Sequence, residues 1–247
     1  MQKIQQWFYN WFGRRPNHKI VTAEEFRQRY QQGDRDFSQT ILVGADLREA
    51  NLRGINLRYA DLRLVRDLHD GVDLTHADLT GVNLSGVNLN GLDLSFSVLC
   101  YANFRDTNLS RACLAHTNCS HANLERANLS YAQLEESNVS NARMKQSDLH
   151  RSYGTGVNFS HVNLYGSDLS QSDLPQTNLT QANLHACNLS WANLSRSSLA
   201  GTNFKAANLS WADLDASDPE NAHLGKTTMV QTRFPMGTYF TSRKKSR

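Results

Sequence analysis

The chain has 247 residues, 39% of them hydrophobic and 20% charged, with a formal net charge of +3. That balance excludes a disordered polymer, supplies no single-sign field on which nucleic-acid binding would rest, and suits one globular domain or one elongated repeat domain. No apolar run approaches the roughly eighteen residues a membrane span needs, and Cys100, Cys113, Cys119 and Cys187 lack the pairing of a disulfide framework or zinc site, so free thiols in a reducing, cytoplasmic compartment are expected. The charge is unevenly placed: residues 1–70 carry twelve Lys/Arg against nine Asp/Glu, residues 233–247 carry five basic and no acidic residues, and the middle keeps nine basic against fourteen acidic.

The opening stretch MQKIQQWFYNWFGRRP places Ile4, Trp7, Phe8, Trp11 and Phe12 at helical spacing, with Lys3, Arg14 and Arg15 nearby. It is short, broken by polar residues and lacks a small-residue cleavage site, so it does not read as a secretory signal. Three roles fit it: a helix lying in a membrane interface, a helix docking on a partner, or a second layer of cap on the rest of the chain. Membrane or partner docking would rest on Trp7, Phe8, Trp11, Phe12, Arg14 and Arg15. Next, in VTAEEFRQRYQQGDRDF, Thr22 and Glu25 form an S/T-x-x-E capping box, Phe26 and Tyr30 lie four apart and Gly33 is a stop signal, which predicts a helix over Thr22–Gln32.

From Phe37 the chain becomes periodic. Phe37, Leu42, Leu47, Leu52, Leu57 and Leu62 step by five, and after a twelve-residue gap the step resumes at Leu74 and runs to Leu214, with only Cys119 and Gly154 lacking a large apolar side chain. Two residues before nearly every apolar position sits a small or β-branched residue, the residue between is usually Asn or Asp, and the other two positions are mostly polar and variable. In an α-helix a period of five would carry the apolar stripe round by about 140° per repeat, and in one long strand alternate leucines would face opposite ways. A coil in which each five-residue unit forms one side points every leucine inward. The two extra residues between Leu62 and Leu74 predict a bulge or small loop in RLVRDLHDGV (Arg63–Val72), with Gly71 free to take positive φ. Leu224, Met229 and Phe234 keep the period near the end, although Pro219 stands where a leucine is expected, so the coil is expected to fray or close there.

These units resemble the pentapeptide repeat family, in members of cyanobacterial type. The short helix followed by GDRDF (Gly33–Phe37) resembles the start of the repeat in such members. The resemblance implies an all-β fold, a right-handed quadrilateral β-helix with four units and twenty residues per turn, and an N-terminal α-helical cap. Three regions follow: a helical amphipathic and capping segment at 1–36, the β-helix at 37–234 with its register shift near 63–73, and a basic C-terminal tail at 235–247. Stacked at the strand spacing, nine to ten coils make a rod of roughly 45 Å, with Asn residues placed for ladders between coils.

Catalytic, metal and cofactor sites are not expected. The nine histidines are scattered, those on the repeats such as His76, His116, His121, His150, His161 and His185 fall on outward positions, and there is no GxSxG, P-loop or GxGxxG. Gly154 predicts a thin or distorted coil filled by Tyr153, and Cys119 and Cys187 fall on inward positions. Two surface features exceed what the repeat needs. Arg48, Arg53, Arg58 and Arg63 each follow a central leucine, a girdle read as solubilising. One outward column, spaced by twenty, contains Arg111, Tyr131, Arg151, Gln171, Trp191 and Trp211, the last two inside NLSWANL and NLSWADL. Tyr131, Trp191 and Trp211 are the candidate partner-binding residues. The leading reading is a non-enzymatic binding or scaffold protein with a protein partner. The alternatives are a DNA-mimicking modulator of DNA gyrase, as the resemblance allows, and a membrane-peripheral adaptor anchored by the N-terminal aromatic stretch. The exposed ends of such a solenoid also permit a homodimer.

Overall fold

The computed structural model describes residues 18–240 except 49, 67, 69–70, 219–220 and 236–238, with no side-chain description at 239–240. Three short parallel strands, β1 (Lys19–Thr22), β2 (Thr40–Asp46) and β3 (Asp61–Arg66), form a sheet in the order β1-β2-β3. Helix α1 (Ala23–Gln31) lies between β1 and β2 in sequence. Its N-cap is Thr22, whose hydroxyl accepts from the Glu25 backbone N–H at 3.2 Å. The reciprocal arm of the capping box goes elsewhere: the Glu25 carboxylate pairs with Lys19 at 2.5 Å. Phe26 is buried, its ring centroid 4.6 Å from that of Phe37, so the helix is pinned onto the first coil.

Beyond β3 the ladder reduces to parallel bridges at the Asn/Asp positions, which recur every five residues and pair across twenty, as in Asn103↔Asn123, Asn108↔Asn128 and Cys113↔Gln133. Four such ladders make the four sides of a right-handed quadrilateral β-helix. In the early coils the offset is twenty-two, as in Asn51↔Asp73, Asn56↔Asp78 and Asp61↔Asn83, so the two extra residues are absorbed within one turn. Strand β3 runs into the segment expected to bulge, as far as Arg66, with register irregularities against β2 on either side of the Val43↔Leu64 pair, and Gly71 takes φ of +70°.

The backbone N–H groups of the units are satisfied in one recurring pattern, which explains the residue types. Around Leu99, Val98 N–H donates to Ala77 O (2.9 Å), Leu99 N–H to Asn118 O (2.7 Å) and Tyr101 N–H to Ser120 O (3.1 Å), all between coils. Ala102 N–H closes the corner on Leu99 O at 3.1 Å. The remaining donor, on the residue after the leucine, finds the side chain at the Asn/Asp position, as Ser120 N–H finds Asn118 Oδ1 at 3.2 Å and Ser95 N–H finds Asp93 Oδ1 at 2.8 Å. Either Asn or Asp supplies that acceptor, and Asn also donates to the coil before it, as in Asn103 Nδ2 to Asn83 Oδ1 (3.0 Å) and Asn203 Nδ2 to Asn183 Oδ1 (3.0 Å).

The corner closed by an i to i+3 bond needs positive φ at its third residue, the type II pattern. Glycine fits there without strain, yet non-glycine residues occupy it repeatedly with φ between +49° and +65°. Inside the coil the central residues form one continuous core: Leu74, Leu99, Phe104, Leu149, Leu189 and Leu209 are all at 0–1% exposure. Cys119 and Cys187 face inward and are buried, as their positions predict. Gly154 is accommodated differently from the expectation. Tyr153 remains about 43% exposed and fills nothing; instead the backbone closes in, so that a Cβ on Gly154 would stand 2.6 Å from the backbone N of Glu135 and C of Leu134. At the far end the bridges continue to Asp213↔Arg233, and β4 (Thr232–Arg233) then pairs antiparallel with β5 (Tyr239–Phe240), which turns the chain back. Pro219 lies outside the described residues.

Candidate interaction surface

Corner residues two places after each leucine stack in columns, one per coil, so their side chains meet at the coil spacing. In the column singled out by sequence, Trp191 and Trp211 lie face to face, with ring centroids 4.9 Å apart and planes 4° from parallel, and with 58% and 47% of their surface exposed. Tyr131 occupies the same column but a separate group. Arg151 Nη1 donates to its hydroxyl at 3.0 Å and Arg151 Nε donates to Gln171 Oε1 at 2.7 Å, while Arg111 and Arg151 sit on either side of its ring at 5.9 and 5.8 Å. Trp191 and Trp211 are therefore brought together, while Tyr131 is linked through Arg151 to Gln171, one coil before Trp191. Trp7, Phe8, Trp11, Phe12, Arg14 and Arg15 lie outside the described residues.

Three further aromatic stacks are absent from the sequence reading. His76, Phe96 and His116 make a continuous column, with centroid separations of 5.0 and 4.7 Å and planes within 14°. Tyr101 stacks on His121 at 4.9 Å and Tyr165 on His185 at 5.4 Å. Taken one at a time, these histidines look like surface filler; aligned at a period of twenty, the corner reads His76, Phe96, His116. That alignment was the available signal.

The arginine girdle is satisfied locally. Arg48 pairs with Asp46 at 2.6 Å and holds that carboxyl down at about 2, Arg58 pairs with Asp78 at 3.0 Å, Arg63 with Asp61 at 2.6 Å, and Arg53 donates to Thr75 Oγ1 at 2.7 Å. Further along, Asp106 pairs with Arg126 at 2.6 Å, Glu125 with Arg143 at 2.7 Å, and Asp213 and Asp215 share Arg233. Burial pushes the Cys119 and Cys187 thiols up to about 12, which removes both as nucleophiles. Among the described residues no cluster of three His, Cys, Asp or Glu is placed to hold a metal ion, and no helix is long and apolar enough to cross a membrane.

A four-sided parallel coil with leucines inside and stacked, solvent-facing corner columns defines a repeat solenoid whose variable chemistry lies on its outside. The chain belongs to the pentapeptide repeat family, whose pentapeptide repeat profile matches in 8 copies over residues 36–66, 70–106, 102–141, 132–171, 163–201 and 182–218. Among solved structures it is similar to HetL, a pentapeptide repeat protein involved in heterocyst differentiation regulation from the cyanobacterium Nostoc sp. strain PCC 7120, at 30% identity, covering 89% of this chain and 100% of HetL with a TM-score of 0.67. A pentapeptide repeat protein of the Arabidopsis thaliana thylakoid lumen matches at 28% identity over 37% of this chain and 63% of its own, with a TM-score of 0.36. The plasmid-mediated fluoroquinolone resistance protein QnrB1 matches at 16% identity over 85% of this chain and 90% of its own, with a TM-score of 0.39. No curated protein sequence matches the chain.

Proposed function

We propose that this protein is a non-enzymatic binding scaffold whose rigid coil presents its corner columns to a protein partner, with Trp191 and Trp211 at the centre of the contact and Tyr131 extending it along the same corner. The observation that carries this reading is the exposure of two coplanar indoles that stability does not require. Their stacking contributes about 0.5 to 1.5 kcal/mol. The left-handed backbone at each, with φ of +64° and +65°, costs roughly 1 to 2 kcal/mol relative to an unstrained corner. Terms of that size offset one another, and what remains is a large, pre-organised aromatic surface of the kind on which interface energy concentrates. The similarity to HetL, a protein involved in regulation, supports a regulatory binding role over a catalytic one.

The charge pattern speaks against a DNA-like rod. Asp78, Asp106, Glu125, Asp213 and Asp215 each face an arginine, so part of the negative charge in the middle of the chain is compensated locally. Affinity capture from the native organism with the intact chain and with a Trp191→Ser/Trp211→Ser variant tests the reading. A partner retained by the intact chain and lost by the variant supports it; identical captured sets overturn it.

A further inference from the structure

The Trp191–Trp211 corner indicates what a partner must bring to it. Where other rings stand at the corners beyond Leu74, each is flanked one coil away by histidine or arginine: Phe96 by His76 and His116, Tyr101 by His121, and Tyr131 by Arg111 and Arg151. The tryptophan pair has glutamine instead, Gln171 one coil before it and Gln231 one coil after. Each indole gives one face to the other, and among the described residues no arginine, lysine or histidine lies against either outer face. Arg151, in the same column, is turned to the Tyr131 hydroxyl and to Gln171 Oε1. Two indole faces are thus left without the cation that the same column supplies to Tyr131.

Carboxylates stand beside the same faces. In the coil before Trp191, roughly 5 Å along the axis, Asp168 and Asp173 flank Gln171 on the two sides that meet at the corner. Asn188 Nδ2 donates to Asp168 Oδ1 at 3.2 Å, and Asn193 Nδ2 to Asp173 Oδ1 at 2.7 Å. Asp173 is exposed and Asp168 half-buried, and neither forms an ion pair with a described residue. Beside Trp211, Asp213 and Asp215 share the single guanidinium of Arg233, which leaves negative charge in excess. Asp106 and Glu125 differ, since each has an arginine of its own. The coil does not require aspartate at these ladder positions, because Asn188 and Asn193 supply the same backbone acceptor to Ser190 and Ser195. The charge, like the tryptophans, exceeds what the fold needs.

We infer that this corner takes an arginine-bearing segment of a partner protein, with a guanidinium on the outer face of Trp191, as Arg111 and Arg151 sit against Tyr131, paired with Asp168 and Asp173. The inference rests on the reading of Trp191 and Trp211 as the contact and names the chemistry which that contact selects. A guanidinium is planar and weakly hydrated, so it can stack on an indole and offer a fork of donors to a carboxylate at the same time. A neutral apolar segment would cover Asp168 and Asp173 without a counter-charge, which costs their hydration. An acidic segment would face them directly.

The probe is a fluorescent peptide of alternating glycine and arginine, with matched lysine and citrulline peptides as controls, and binding to the full chain is read by anisotropy. The arginine peptide is expected to bind about tenfold tighter than the neutral citrulline peptide, and tighter than the lysine peptide. Trp191→Ser/Trp211→Ser is expected to weaken it about tenfold, and Asp168→Asn/Asp173→Asn about fivefold. The asparagine variant keeps the acceptor that the coil uses, so it changes charge alone. Equal binding of the arginine and citrulline peptides overturns the inference, and so does binding that is insensitive to either variant, since stack and carboxylates act together. In affinity capture from the native organism, a partner lost by the tryptophan variant but kept by the asparagine variant leaves the corner as the contact and overturns only the arginine. Identical captured sets from all three chains overturn the contact itself. Self-association that the asparagine variant abolishes puts a second copy on the corner. Peptide binding that appears only in a chain ending at Phe240 puts the chain's own basic end there. Either outcome overturns a separate partner.

Discussion

Trp191 and Trp211 are separated by one full coil in sequence and by 4.9 Å between ring centroids in space, and the contact is made from a backbone region that favours glycine. The identical phrases around them are demanded by the coil: Asn188 and Asn208 accept from Ser190 and Ser210, Leu189 and Leu209 fill the core, and Ala192 and Ala212 pack inside the next side. The tryptophans are the part of the repeat that the coil does not demand.

The competing terms at this corner are separable. Trp191→Ala removes the stack and keeps the left-handed backbone, so it is expected to destabilise by about 1 kcal/mol. Trp191→Gly removes the same stack but relieves the backbone, and is expected to melt above the alanine variant by an amount equivalent to about 1 kcal/mol. Thermal unfolding of the two variants checks the order, and an alanine variant as stable as the glycine variant would refute the offset between stack and backbone.

The buried thiols give a pH dependence with a definite sign. Desolvation raises Cys119 and Cys187 from 9.0 to about 12. The folded state therefore keeps its thiol protons where the unfolded state has lost them, and the stability this contributes is full below about 9 and is lost as pH rises toward 12. Denaturant titrations at pH 8 and pH 10.5 are expected to show lower stability at the higher pH, with the loss reduced in a Cys119→Ala/Cys187→Ala variant. Both cysteines should resist alkylation until the coil unfolds.

Much of this fold is legible in the sequence, because the period of five is tied to a single inward direction and the buried leucines other than Leu68 and Leu92 obey it. The interior positions of Cys119 and Cys187 follow from counting alone. The contacts between coils are harder to read, since residues twenty apart touch only once the period per turn is known, and the His76–Phe96–His116 column emerges when the corners are aligned on that period. Gly154 shows a different limit. A missing leucine reads as a hole to be filled by a neighbour such as Tyr153, whereas the backbone itself moved into the space, an outcome set by packing against Leu134 and Glu135 and not by any residue type nearby.

Leu189 tests the inward direction itself. It is fully buried at the centre of a unit, and Leu189→Asp would place a carboxylate among leucines with no partner, a cost of several kcal/mol. In a stacked array the damage is expected to spread first to the coils on either side, because each coil contacts only its neighbours. Hydrogen exchange is expected to lose protection around residues 169–209 before the rest of the chain, and a melting profile unchanged from the native protein would contradict the burial of this column.

Gly154 and Gly86 make a matched pair for measuring how tightly the coils are stacked. At Gly86, with φ of +72°, an added Cβ meets nothing within 4 Å, so Gly86→Ala is expected to cost only the backbone penalty, about 1 kcal/mol. At Gly154 the same methyl would lie 2.6 Å from two backbone atoms of the preceding coil, neither of which is the end of a flexible side chain. The coils must separate there, and Gly154→Ala is expected to cost about 1 to 3 kcal/mol more than Gly86→Ala, as overpacking does elsewhere. Equal midpoints in chemical denaturation would show that the coil around Tyr153 yields freely, and would sink the close approach of the two backbones as the reason for glycine at this position.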